Sequence, residues 1–253
     1  MVLPRLLGGM ALAAMFQVAH ATQSGAQVVQ IQPSGAEVPA NLLRVSIEFA
    51  APVEDPVLPR LALLHADGSA VGEPFLPQEL WSPDGKILTF LLHPGRVKTG
   101  LVAREKLGPI LTAGDSVTLT LDGRPIKQWH VGGVDRDGPV ATAWKLAPPR
   151  AASRQQLTVA LDGPVDGRDG DFLAIVDRGD HRVAGSARLT AGESVWTFTP
   201  DAPWQAGEYR LLVHGTLEDP AGNRLGGHFE TPTSLPQKPA TDASLVFTIA
   251  PAD

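Results

Sequence analysis

Short runs in which apolar and polar residues alternate recur along most of the chain. In Val45-Ser46-Ile47-Glu48-Phe49 the first, third and fifth residues are apolar. That period of two turns one face of a β-strand into a core and the other toward water. Val117-Thr118-Leu119-Thr120-Leu121 repeats the pattern, as do Trp196-Thr197-Phe198 and, less regularly, Tyr209 to Val213. Turn formers separate the runs: Pro33-Ser34-Gly35, Asp67-Gly68, Pro83-Asp84-Gly85, Asp122-Gly123, Asp166-Gly167 and Ala221-Gly222-Asn223. No long stretch has the 3.6-residue period of a helix. Many short strands at this spacing predict an all-β chain of antiparallel sandwiches, each sheet burying one face.

The pattern occurs twice. With Pro52 placed on Pro164, Val45 meets Leu157, Ile47 meets Val159 and Phe49 meets Leu161. The same displacement brings Leu61-Ala62-Leu63-Leu64 onto Leu173-Ala174-Ile175-Val176 and Val71 onto Val183. Further on the spacing drifts, yet Thr89-Phe90 still matches Thr197-Phe198, and Leu111-Thr112-Ala113-Gly114 matches Trp204-Gln205-Ala206-Gly207. An ordered series of matches predicts two copies of one unit, each of a size usual for an immunoglobulin-like sandwich. The glycine-rich, charged stretch Gly132 to Pro139 marks the boundary. The expected organisation is a leader over 1–21, a first sandwich over 22–133, a linker over 134–139 and a second sandwich over 140–253. Such a linker is expected at the surface with few contacts crossing it.

The leader changes the picture of compartment. Arg5 precedes an apolar stretch from Leu6 to Val18, and Ala19-His20-Ala21 has the small-x-small form of a signal-peptidase site. The stretch is too short for a membrane anchor, and with no Cys in the chain there is no lipobox. The expected location is periplasmic or secreted, without a membrane span. Met1, Met10 and Met15 are the three methionines, so a chain starting at Thr22 contains no sulfur. The lack of Cys also excludes a disulfide framework, a zinc-thiolate site, an iron–sulfur cluster and a thiol nucleophile. A formal net charge of −6 does not suit general nucleic-acid binding. The 26 Gly and 23 Pro then read as turn punctuation of sandwiches rather than as disorder.

The second unit resembles bacterial Ig-like domains of the surface-layer and large-adhesin type. The residues that carry the resemblance are Leu161-Asp162-Gly163-Pro164-Val165, Trp204-Gln205-Ala206-Gly207-Glu208-Tyr209 and Asp219-Pro220-Ala221-Gly222-Asn223. The first unit joins through Pro33 to Pro39 and Phe49-Ala50-Ala51-Pro52-Val53, but it lacks the tyrosine and the Ala-Gly-Asn turn. The resemblance implies an Ig-like fold and brings no catalytic residue with it. The start of the chain also resembles periplasmic copper carriers with an Ig-like fold. There, however, Thr22 stands where that family has a histidine ligand, and no methionine remains to hold Cu(I).

Candidate chemistry is sparse. The segment His93 to Gly108 is the least Ig-like, and it sets Arg96, Lys98, Arg104 and Lys106 into an acidic chain. It reads either as a solvated connection or as an anion or acidic-glycan contact through His93, Arg96, Lys98 and Arg104, since guanidinium groups suit carboxylates and sulfates. For a metal the candidates are oxygen ligands for calcium: Asp162, Asp166, Asp169 and Asp171 in one loop, and Asp135 and Asp137 at the linker. Their spacing matches no EF-hand. The histidines include no pair at i, i+2 or i, i+4, and no G-x-S-x-G, H-E-x-x-H or phosphate-binding glycine loop occurs. Tyr209 is expected in the second core with its hydroxyl bonded to nearby backbone, and Trp204 at the end of that sandwich. The expectation is therefore a non-catalytic exported binding or structural module of the bacterial envelope. It needs no cofactor, and its partner is another envelope protein or a glycan. The alternative is a periplasmic carrier or accessory protein for an anion, glycan or metal ion.

Overall fold

The computed structural model describes residues 26–98, 101–227 and 240–251. The leader, Met1 to Ala21, lies outside the described residues. The first group of strands comprises β1 (Val28–Gln32), β2 (Glu37–Val38), β3 (Arg44–Phe49), β4 (Leu61–His65), β5 (Leu80–Trp81), β6 (Ile87–Leu91), β7 (Ser116–Leu121) and β8 (Arg124–Val131). The second comprises β9 (Lys145–Ala147), β10 (Leu157–Ala160), β11 (Leu173–Asp177), β12 (Gly185–Thr190), β13 (Val195–Pro200), β14 (Gly207–Val213) and β15 (Ala243–Ile249). Two helical turns, α1 (Pro94–Val97) and α2 (Val102–Leu107), lie between β6 and β7.

The fold is all-β. The first group forms one sheet in the order β1-β3-β6-β5 and another in the order β2-β8-β7-β4. All pairs are antiparallel except β2 with β8. The second group forms β9-β10-β13-β12 and β11-β14-β15, all antiparallel. The alternation explains the packing. Val45, Ile47 and Phe49 of β3 and Leu88 and Phe90 of β6 face Leu61 and Leu63 of β4, Val117 and Leu119 of β7 and Trp129 of β8 in one buried cluster. Leu157, Val159, Trp196 and Phe198 face Leu173, Ile175, Tyr209, Leu211 and Phe247 in another. The aligned residues of the two copies take equivalent places: β4 and β11 begin at Leu61 and Leu173, and both face inward.

The copies differ where their turns differ. Asp122 and Gly123 have φ of 52° and 73° and join β7 to β8 in a two-residue hairpin, a geometry that Asp-Gly favours. In the second group β14 and β15 are neighbours in the sheet but are joined by a long excursion over 214–242. Its first part holds the Ala-Gly-Asn turn that the first copy lacks.

None of the five tryptophans contributes to an exposed row. Trp129, Trp144, Trp196 and Trp204 are buried, and the partly buried Trp81 donates to Glu79 Oε2 at 2.8 Å. In the second core the rings form a series: Trp196 stacks on Phe198, which meets Trp204, which stands edge-on to Tyr209, which stacks on Phe247. The Tyr209 hydroxyl donates to Gln205 O at 3.2 Å and accepts from Gln205 N at 3.3 Å. Tyr209→Phe is expected to cost about 1 kcal/mol, the net worth of such a pair of bonds, with the ring series intact. Urea unfolding measures it, and the near-ultraviolet circular dichroism should be unchanged.

Candidate functional site

The segment from His93 to Gly108 folds locally for reasons of capping. Pro94 sits at the first helical position of α1, and His93 Nδ1 accepts from Gly95 N at 3.1 Å. Gly108, with φ of 75°, ends α2 in the left-handed conformation that suits glycine. Arg96, at the end of α1, is only 4 % exposed. Its Nε donates to Gly108 O at 3.0 Å, its Nη1 to Gly72 O and to Glu73 O, and its Nη2 to Leu107 O and Pro109 O. Arg104 Nη1 donates to Arg96 O and Val97 O at 2.8 and 2.9 Å, closing the free carbonyls at the end of α1.

The structure thus gathers His93, Arg96 and Arg104 around α1, with half-buried Lys98 directly after it, and directs the Arg96 guanidinium and Arg104 Nη1 at backbone carbonyls. For Arg96 this departs from the anion-contact expectation. A guanidinium has five N–H donors, and those of Arg96 are aimed at five backbone carbonyls, leaving none for a carboxylate or sulfate. Arg96 pins the α1–α2 insert to the strand connection at 72–73, and the His93 N–H donates to Pro74 O.

Of the aspartates proposed for calcium, the structure brings only Asp166 and Asp169 close to one another. Asp162 accepts from Val140 N through Oδ2 and from Trp144 Nε1 through Oδ1. Asp135 Oδ1 accepts from Asp137 N, and Asp137 and Asp171 are exposed. Asp166 and Asp169 are buried. Among the described residues no group of three or more His, Cys, Asp or Glu is placed to hold a metal ion. The physical reason is that Asp135, Asp162 and the Asp166–Asp169 pair already serve N–H donors.

Asp166 and Asp169 do something else: they belong to a polar junction between the two sandwiches. Arg44, at the start of β3, reaches across to Glu218 Oε2 through Nη2, and its Nε lies 3.1 Å from Asp166 Oδ2. That Nε is buried, and no hydrogen bond is directed from it among the described residues, so Asp166 attracts it as a charge only. Glu218 Oε1 accepts from Arg224 Nε at 3.1 Å, and Asp169 Oδ2 accepts from Glu218 N at 2.8 Å. Gln32 Nε2 donates to Gly167 O at 3.2 Å, and Ser34 N donates to Glu193 Oε2 at 2.8 Å. Glu193 is 1 % exposed and has φ of 61°, a region costly for a residue with a side chain.

The linker is held in the same way. Asn41 Nδ2 donates to Asp135 O at 2.7 Å while Asn41 Oδ1 accepts from Asp135 N at 2.9 Å. Asn223 Nδ2 donates to the same Asp135 O at 3.3 Å and to Asp219 Oδ2 at 2.8 Å. Leu43 N donates to Pro220 O at 2.9 Å. The expectation of a linker crossed by few contacts is therefore corrected. The Asp219-to-Asn223 turn, a structural motif in the sequence, grips the linker and the start of β3.

Sequence reasoning missed Arg44, Asn41, Glu193 and Glu218. One signal was present: in the repeat, Arg44 stands where the second copy has Gln156, a charge at the head of an otherwise alternating strand.

Burial raises the carboxyls of this junction. Asp169 is pushed up to about 7, chiefly by desolvation, with Asp166 and Glu218 adding repulsion and the Glu218 N–H opposing it. Asp219 is pushed up to about 6 by burial, against its bonds to Asn223. Asp166 is raised by burial despite the Arg44 charge. Between the ordinary carboxyl range and pH 7 the folded chain therefore keeps protons that the unfolded chain has released. Stability is expected to be greatest near pH 4 to 5 and to fall by about 2 kcal/mol as pH rises to 8, allowing for partial solvent screening. Exposed carboxyls with lowered values, such as Asp122 beside Arg60, reverse the slope at lower pH. Urea midpoints across pH 4 to 8 measure the fall, and a flat profile would contradict it.

No family model matches the chain, and no curated protein matches it. Among solved structures it is similar to an L,D-transpeptidase from Mycobacterium smegmatis, at 15 % identity over 88 % of this chain and 73 % of that one, with a TM-score of 0.30. It is similar to domains 5–6 of the S-layer protein SbsC at 9 % identity, over 90 % of this chain and 99 % of that one, with a TM-score of 0.26. It is also similar to titin domains z1z2 in complex with telethonin at 10 % identity, over 86 % and 92 %, with a TM-score of 0.26.

Proposed function

We propose that this chain is a non-catalytic, exported Ig-like module of the bacterial envelope that serves as a rigid spacer and a binding element. The observation that carries the reading is the junction. Two sandwiches with separate cores are tied by Arg44 to Asp166 and Glu218, by Gln32 to Gly167, by Ser34 to Glu193 and by the Asn41–Asp135–Asn223 set. Partly buried ties of this kind suit a part that must hold two surfaces at a fixed spacing, where a loosely linked pair would move by default. Among the described residues no helix is long and apolar enough to cross a membrane. The carrier reading through residues 93–106 loses support, because Arg96 and Arg104 spend N–H groups on backbone carbonyls.

Small-angle scattering of the purified chain tests rigidity. The expected profile is that of one shape, little changed between low and moderate salt because the ion pairs are partly buried and several ties are uncharged hydrogen bonds. A profile that only an ensemble of independently moving sandwiches fits would overturn the spacer reading. Photo-cross-linking in cells, followed by fractionation, tests the rest: the expected adduct is with an envelope protein or glycan.

A further inference from the structure

A groove of about 470 Å³ runs between the sandwiches, close to the junction but separate from its buried ions. Its size is in the range of ligand sites, while its lining is polar. On the first sandwich it is lined by Gln30 and Gln32 of β1 and Glu48 of β3. Gln30 and Glu48 are cross-strand partners, and Ile31 and Ile47 beside them point into the core, so this wall is the outer face of the sheet. On the second sandwich the lining includes Arg168, Asp171 and the consecutive residues 187–189 of β12.

Consecutive strand residues point to opposite faces, so a groove lined by three in a row follows the edge of the strand rather than one face. β12 is the last strand of its sheet and pairs with β13 alone. Its register with β13 is unbroken from Gly185 to Thr190, and its sequence Gly-Ser-Ala-Arg-Leu-Thr contains neither Pro nor Lys. The usual guards of an open edge, a bulge, a proline or a lysine, are thus missing where this edge faces a second wall. The side chains of Glu48, Asp171 and Arg188 make no hydrogen bond or ion pair among the described residues.

We propose that this groove docks an extended peptide segment of an envelope partner, which adds to the second sandwich as a strand along β12. Main-chain pairing with β12 would supply affinity, and alternate side chains of the peptide would meet the Gln30–Gln32–Glu48 wall. The walls carry two cations and two anions, so the fitting segment carries both signs. A uniformly charged one meets repulsion from one pair. The Gln32–Gly167 and Ser34–Glu193 bonds hold the walls apart before any ligand arrives, which lowers the ordering cost of binding.

The inference rests on the binding-module reading and is tested so that the two can fail separately. The probe is a phage-displayed library of random heptapeptides selected on the intact chain. Enriched peptides are expected to carry charges of both signs. They should bind the Arg168→Glu/Arg188→Glu variant about tenfold more weakly or worse, and bind the Arg178→Glu variant, changed outside the groove, as tightly as the parent. In the complex, alternate amides of 185–190 should exchange with deuterium at least about tenfold more slowly. Failure of any peptide to enrich, equal binding by the double variant, or unchanged exchange in β12 would overturn the proposal. So would groove-dependent binding of glycans in place of peptides. If cross-linking in cells then finds an envelope partner at another surface, the module reading stands without this site; if it finds none at any surface, the binding role falls as well.

Discussion

Arg96→Ala is expected to destabilise the first sandwich by about 3 kcal/mol, because it removes a buried guanidinium that joins the backbone carbonyls of two connections. The five carbonyls that Arg96 serves belong to 72–73 and 107–109, two connections that this side chain joins. Each unsatisfied buried carbonyl costs about 1–3 kcal/mol, and water entering the space left by the guanidinium recovers part of it. Arg96→Lys is expected to lose about half as much, since an ammonium offers three donors without the planar fork. Urea unfolding followed by tryptophan fluorescence measures both. A loss below about 1 kcal/mol for alanine would show that the carbonyls find other partners. An anion-binding Arg96 predicts the reverse, intact stability with ligand lost.

Arg44→Ala is expected to cost about 3 kcal/mol at pH 8 and about half that at pH 5. At pH 8 the substitution leaves Asp166, Asp169 and Glu218 facing one another without their shared cation. At pH 5 Asp169 is protonated in the folded chain, since its value stands near 7, and the repulsion that Arg44 relieves is smaller. A double-mutant cycle with Glu218→Gln separates the pair from the rest of the network. Scattering of the Arg44→Ala variant should broaden toward two moving sandwiches, because the first sandwich then keeps only hydrogen bonds and the linker as ties. A loss that does not change between pH 5 and pH 8 would show that the cluster is not ionised as described.

The sheets were legible because their signal is local. Val45, Ile47 and Phe49 alternate with polar residues, and the period alone points all three at one core, whatever the rest of the chain does. The second copy was legible for the same reason, and the Asp122-Gly123 hairpin follows from the backbone angles those two residues tolerate. Tyr209 was legible too, since its hydroxyl bonds to a residue four positions away. The helical turns α1 and α2 escaped because each is too short to show a 3.6-residue period, and they form by capping and by the Arg96 and Arg104 bonds.

The charged residues were not legible in this way. The sequence alone places Arg96 and Arg104 in a basic segment and Asp166 and Asp169 in an acidic loop, and from composition these look like a contact for anions and a site for a cation. Arg96 meets Gly72 at a separation of 24 residues, and Arg44 meets Glu218 at 174. Strand formation depends on neighbours along the chain, so alternation and turns determined the two all-β sandwiches. What a charge touches depends on which sheets and loops come to lie over it. Packing within the first sandwich decided that Arg96 is a clamp, and only the docking of the two sandwiches decided that Arg44 closes a junction and that β12 faces a second wall across a polar groove.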